Sequence, residues 1–294
     1  MNKFTPILLG LSLAVAGSSI AAAQQTASMP KVLQITREFI KPYKSGAAHD
    51  KTESAFVATM TKAKFPAYYL GLDSLSGKSR ALFLTEYDSF ADWEKDNKLV
   101  DKNPSLSAEL ERASIADGEL LENVDSGVFV RDDDLSYKPH ADLTHARYME
   151  ISEFHVRAGH HKDWEKLTKM VKDAHDKAGT HAHWAAFEIA YGAPDGTYLV
   201  LSADDSMADI DRGYAEDKAF REAIGGDEGM KALDELFAAT VDSSDSQLFA
   251  VNPKQSYVSP DWIKADPEFW APKPAAKPAA APMAKPAAAE KKTP

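Results

Sequence analysis

The 294-residue sequence predicts an α+β fold built twice in tandem. Three observations carry that prediction. Four short stretches recur in the same order about 113 to 120 positions later. Each half holds strand-length apolar runs separated by longer stretches with helical spacing. In both halves these elements fall in the order β-α-β-β-α-β, the split βαβ or ferredoxin-like arrangement.

The echoes are specific. TEYDSFADWE (85–94) answers SADDSMADID (202–211), and ENVDSGVFV (122–130) answers ATVDSSDSQLFAV (239–251). LSYKP (135–139) answers QSYVSP (255–260), and REFIKPYKSG (37–46) answers SEFHVRAG (152–159). A repeat this long is a domain-sized duplication, not a solenoid period. The units span 31–137 and 145–257, joined by KPHADLT.

In the second unit, ARYMEISEFHV (146–156) is aromatic and β-branched, hence a strand. In HKDWEKLTKMVKDAHDKA, Trp164, Leu167, Val171, Ala174 and Ala178 recur at helical spacing and form one apolar face. HAHWAAFEIAY and GTYLVLSA are strands joined by the turn GAPDG. Helical sequence follows from 206 to 240, broken near Gly225 and Gly226, and SQLFAV closes as a strand. The first unit runs VLQITREFI, a helix around Phe56 and Met60, YYLGL, RALFLTEY, helical sequence over about 89–123, then SGVFV.

DSFAD and DSMAD fall where the third strand enters the second helix. Ser89 with Asp92 and Ser206 with Asp209 have capping-box spacing, worth about 1 kcal/mol each. An acidic metal site from Asp88, Asp92, Asp205 and Asp209 is the alternative. Capping explains their presence in both halves without a ligand.

On these features the chain resembles the dimeric α/β-barrel superfamily, including antibiotic-biosynthesis-monooxygenase-like and NIPSNAP-like proteins. The resemblance covers about 31–257 and rests on topology, on the turns IKPYKSG and VRAGHHKDW, and on the DS-apolar helix starts. It implies two ferredoxin-like units closing an intramolecular α/β barrel with a cavity between the sheets. It carries over no catalytic residue, and members range from oxygenases and haem enzymes to proteins without known activity.

The termini differ from the body. Lys3, the apolar run ILLGLSLAVA and the small-residue site around Ala21 and Ala23 read as a signal peptide over 1–23, giving a periplasmic or secreted protein. No later stretch is long and apolar enough to be a membrane helix. Residues 258–271 form an aromatic extension with Trp262, Phe269 and Trp270, expected to cover apolar surface. Residues 272–294 are Pro/Ala/Lys low complexity, expected to be a disordered tail. The tail carries five lysines against Glu290, and Lys3 is the leader's single charge, so the overall −11 leaves −16 on the body. An acidic body excludes nucleic acid as a partner. The basic tail suits an anionic envelope surface or a plain solubilising spacer. With no cysteine, disulfides, thiolate metal sites and a cysteine nucleophile are excluded.

Six of nine histidines lie between His155 and His183. The matched echoes set Ile40 opposite His155, and Tyr68 and Tyr69 opposite His183 and Trp184, so a site is expected in the second half. His181 and His183, two apart on an expected strand, share a face. With His155 and Glu153 they could converge on one volume, with Trp184 beside them. Imidazoles and a carboxylate admit haem, a divalent metal ion or acid–base chemistry, although no diagnostic metal motif is present. The leading expectation is a binding module, monomer or homodimer, holding a small apolar or aromatic ligand in the barrel. The alternatives are an oxygenase or peroxidase-like enzyme using the second-half histidines, and a non-catalytic scaffold. Cleavage near Ala23 is checked by N-terminal sequencing of the cell-made protein: a start around Gln24 is expected, and a start at Met1 would overturn export.

Overall fold

The computed structural model describes residues 30–271 apart from 45 and 141. The expected leader and the Pro/Ala/Lys tail lie outside the described residues. The first unit comprises β1 (Val32–Ile40), α1 (Ala47–Ala63), β2 (Tyr69–Ser74), β3 (Arg80–Tyr87), α2 (Phe90–Asp101), α3 (Pro104–Gly118) and β4 (Leu121–Tyr137). The second comprises β5 (Tyr148–Val156), α4 (His161–Ala178), β6 (Trp184–Tyr191), β7 (Thr197–Asp204), α5 (Met207–Ala215), α6 (Asp217–Ile224), α7 (Gly226–Thr240) and β8 (Val241–Val251). Two short helices follow, α8 (Pro260–Ala265) and α9 (Pro267–Trp270).

The strands close into one barrel in the order β1-β3-β2-β8-β5-β7-β6-β4. Each unit contributes the ferredoxin-like order, β4-β1-β3-β2 and β8-β5-β7-β6, with antiparallel neighbours throughout. Period-two alternation sends one set of side chains inward. Leu33, Ile35, Leu72, Leu82, Phe129, Met149, Phe187, Leu199 and Phe249 fill the lumen, and Phe129 and Phe249 are fully buried. Burying each such side chain contributes about 1.5–3 kcal/mol.

The helix starts behave as caps. Ser89 accepts from the Asp92 backbone N–H at 3.2 Å. Ser206 and Asp209 form a reciprocal capping box, with Asp209 accepting from the Ser206 N–H at 3.0 Å. On α4 the buried residues are Trp164, Leu167, Thr168 and Ala174, close to the expected face.

Register corrects one sequence alignment. Val32 pairs with Tyr87 and Tyr148 with Asp204, and the bulges fall between Phe39 and Ile40 and between His155 and Val156. The counterpart of His155 is therefore Phe39, not Ile40. The matching letters EF in the two first strands are out of structural register by one residue, which exchanges the faces. In true register Arg37 corresponds to Glu153. Both point into the barrel, where Arg37 Nη1 lies 3.7 Å from Glu153 Oε2 and Arg37 Nε lies 3.2 Å from Asp125. The Arg80 guanidinium packs over Phe39 and Phe249, so this end of the lumen is closed by charged and aromatic groups.

Two seams join the units, β4 with β6 and β2 with β8. At the end of each ladder the chain grips the other unit in the same way. The Ala186 N–H donates to Ser136 Oγ at 2.9 Å, and Tyr137 pairs with Trp184. The Gly71 N–H donates to Ser256 Oγ at 2.9 Å, and Tyr257 pairs with Tyr69. The repeated Ser-Tyr pair is thus a reciprocal clasp.

The C-terminal extension covers the barrel end opposite Arg37. Trp270 is buried against the lumen cluster and donates from Nε1 to the Thr144 carbonyl at 2.8 Å, with Trp262 and Phe269 packed beside it.

A Cβ on Gly71 would stand 2.7 Å from the Gln255 carbonyl oxygen. Gly71→Ala must displace the clasp, with an expected loss of about 1–3 kcal/mol. Denaturant unfolding reads it, and an unchanged midpoint would contradict the clasp's contribution to stability.

Candidate functional site

The strand ends opposite Arg37 surround a cavity of about 400 Å³. Its apolar wall comes from inward positions on five strands: Leu70, Leu84, Met149, Phe187 and Leu201. Val258 and Trp262 from the extension form one side of the mouth. The same alternation that fills the lumen supplies this wall. The cavity exists because the side chains near the mouth do not meet across it.

Two charged groups interrupt the apolar wall. Glu86 follows Leu82 and Leu84 on the inward face of β3, and Arg131 follows Phe129 on β4. Desolvation by the surrounding cavity wall raises the Glu86 carboxyl above its ordinary value, partly opposed by the Arg131 charge, although the residue stays open to solvent at the mouth. Arg131 Nη2 pairs with Asp133 at 2.8 Å, whereas its buried Nε has no hydrogen-bond partner. That N–H is a donor available to a ligand acceptor. In the second unit the equivalent positions are the apolar Ala203 and Val251, so the polar pair belongs to the first half.

At the rim the His140 and His183 rings meet edge to face, with centroids 4.0 Å apart. Burial, and then the His183 charge, lower the His140 pKa. Both histidines also border a neighbouring groove of about 710 Å³ that runs beneath α5 and α6.

The residues expected from sequence separate. β6 begins at Trp184, so His181 and His183 precede the strand and do not share a strand face. β5 and β6 each pair antiparallel with β7, so they run parallel. His155 ends β5, whereas His183 precedes β6, at the opposite end of the sheet. About six residues of strand separate their levels, roughly 20 Å.

His155 and Glu153 do share a face, with Nε2 3.0 Å from Oε1. His155 Nδ1 lies 3.1 Å from Thr197 Oγ1. Both ring nitrogens of His183 face carbonyl oxygens, of His181 at 3.0 Å and of Ala203 at 2.9 Å. His181 turns outward to Glu216 at 2.5 Å. At opposite ends of the sheet, His155 and His183 do not converge on one ion or one haem iron. Trp184 borders the cavity, while its Nε1 donates to the Leu135 carbonyl at 2.8 Å and its ring packs on Tyr137.

Of the residues expected from sequence, His183 and Trp184 border this cavity, and Glu86, Arg131 and His140 beside them were not among those expected. The signal for Glu86 was an acid continuing the inward rhythm of RALFLTEY. Arg131 continues the rhythm of VFVR in the same way.

No protein-family model matches the chain, and no curated protein matches it in sequence. Solved structures do match. A monooxygenase-like protein of Fusobacterium nucleatum superposes with a TM-score of 0.51 at 10% identity, covering 76% of this chain and 93% of that one. An anthrone oxidase-like protein gives 0.47 at 13% identity, covering 76% and 91%. A mutant chlorite dismutase from Candidatus Nitrospira defluvii gives 0.46 at 9%, covering 81% and 96%. The chain has the dimeric α/β-barrel fold expected from its duplication. At such identities the likeness is one of fold.

A raised carboxyl favours the protonated form in the folded state. Glu86 should therefore cost a small amount of stability, reduced by solvent screening at the mouth, that grows as pH rises from its ordinary 4.5 through its raised value. The cost then stays constant at higher pH. Thermal unfolding should place Glu86→Gln above the wild type at pH 8, with the gap shrinking by pH 4. A gap independent of pH would contradict a raised, ionisable Glu86.

Proposed function

We propose, taking this shared barrel as the premise, that the protein is an exported binding module for a small apolar or aromatic molecule. The occupant lies in the mouth cavity with an acceptor group directed at Arg131. The observation that carries the reading is the cavity itself, about 400 Å³ of largely apolar wall with one buried, unpartnered N–H. Pockets of this size, apolar with few polar groups, suit small ligands. The apolar wall supplies affinity, and the Arg131 N–H fixes orientation because leaving it unpaired is unfavourable.

A second reading, a cofactor-free oxygenase or related acid–base enzyme, draws on Glu86. Its carboxyl, raised by desolvation at the cavity mouth, is suited to accept or donate a proton to a bound molecule. A haem or metal site shared by His155 and His183 fits poorly with their places at opposite ends of the sheet.

The test is titration with 8-anilinonaphthalene-1-sulfonate, an aromatic probe bearing an anionic acceptor, followed by fluorescence. Leu201→Trp fills the cavity from its wall. One site per chain is expected in the wild type, weakened at least about tenfold in Leu201→Trp at equal folded content, as befits loss of about 1.4 kcal/mol or more of binding. Equal binding by both proteins would move the ligand elsewhere and favour the scaffold alternative.

A further inference from the structure

The outer faces of the two sheets are chemically unlike. In the second unit, α4 and α7 cover Phe154, Val156, Tyr198 and Val241 with Trp164, Leu167 and Phe237, an apolar interface. Phe154 packs on Trp164 with ring centroids 5.1 Å apart. In true register the counterpart of Phe154 is Glu38. Around Glu38 the first unit buries His49 and Glu53 from one face of α1 and Asp117 from α3.

Each of these four residues offers one donor atom, and the four atoms lie within 4.8 Å of one another. His49 Nε2 is 3.1 Å from Glu38 Oε2 and 3.6 Å from Asp117 Oδ1. Thr52 Oγ1 donates to Asp117 Oδ1 at 2.6 Å and holds that carboxylate in place. His49 is fully buried, and Glu53 and Asp117 are 3% and 2% exposed.

Three carboxylates and one imidazole would carry at least two net negative charges if all the acids were ionised. Among the described residues, no lysine or arginine forms an ion pair with any of them, and Glu38 and Asp117 pair only with His49. Uncompensated charge at this depth is costly. The second observation is an orphaned carboxyl oxygen. Glu53 Oε1 has no hydrogen-bond partner although the residue is almost wholly buried and directed into the group. The Tyr69 hydroxyl beside it is also buried and unpartnered. An interface that is apolar in one unit and acidic in its duplicate, with a buried donor left over, calls for a cation.

We infer that Glu38, His49, Glu53 and Asp117 form a binding site for one divalent first-row transition-metal ion, fastening β1, α1 and α3 together. Three oxygens and one imidazole nitrogen suit ions from manganese to zinc. Four protein donors and near-complete burial make this a closed site of the structural kind, distinct from sites that keep a position open for substrate. Such ions require donors at about 2.0–2.2 Å. The site lies outside the barrel and does not depend on a ligand in the mouth cavity.

The experiment uses the full mature chain, treated with EDTA, dialysed and titrated separately with Zn²⁺ and Mn²⁺ by calorimetry. Metal content and thermal unfolding are measured in parallel. One ion per chain and a higher melting temperature are expected. Glu53→Gln keeps the shape and should weaken binding at least about tenfold. Glu38→Phe with Glu53→Leu gives the first unit the apolar chemistry of the second and should abolish binding while remaining folded, because apolar replacement of buried charges is tolerated. The inference is overturned if neither ion binds the folded wild type stoichiometrically. It is equally overturned if binding is unchanged in folded Glu53→Gln, since the ion would then sit elsewhere.

Discussion

Closure of the barrel rests on two crossings in which each unit's last strand pairs with the other unit's second strand. The end of each ladder adds the same clasp: a serine hydroxyl accepting a backbone N–H, and a tyrosine bridging to an aromatic residue. Each such hydrogen bond contributes only about 1 kcal/mol net. Their importance is geometric. They hold the two sheets at the spacing that leaves the lumen filled in the middle and open at one mouth. The cavity wall, the Glu86 and Arg131 positions and the seat for Trp270 all inherit that spacing.

Duplication gave one backbone two chemistries. Inside the barrel, equivalent positions became complementary, with Arg37 facing Glu153. Outside it, equivalent positions diverged, with Glu38 among acids where Phe154 lies among aromatics. The same elements tolerate both because backbone hydrogen bonding sets the sheet, while the side chains on each face need only satisfy their own neighbours.

The fold was legible because it is written twice. A weak strand or helix signal in one half is corroborated by its echo, and DSFAD and DSMAD mark the same turn in both. The site was less legible. His155 and His183 look near in a list of histidines, but the parallel direction of β5 and β6 puts them at opposite ends of a sheet, a fact that emerges only when β7 is placed between them. The acidic group was hidden by a coincidence of letters. REF set against SEF pairs Glu38 with Glu153 and makes the acid look shared, whereas the bulges place Phe154 there. Concentration of histidine in the second half drew attention away from His49, a lone residue whose partners come from 11 residues before it and 68 after it.

The seams also constrain the order in which the chain can mature. β2 finds its outer partner only when β8 arrives, Leu72 meeting Val251 across most of the sequence. Until then the first unit has two bare edges, on β2 and β4, each able to recruit another strand. Contacts of such sequence separation form slowly, because loop closure must precede any gain from pairing. A single unit severed from its sibling would keep those edges, and two copies of it have the complementary borders needed to rebuild the ring. Fusion in one polypeptide replaces that encounter between molecules with one within the chain, at an effective concentration set by the short connector between β4 and β5.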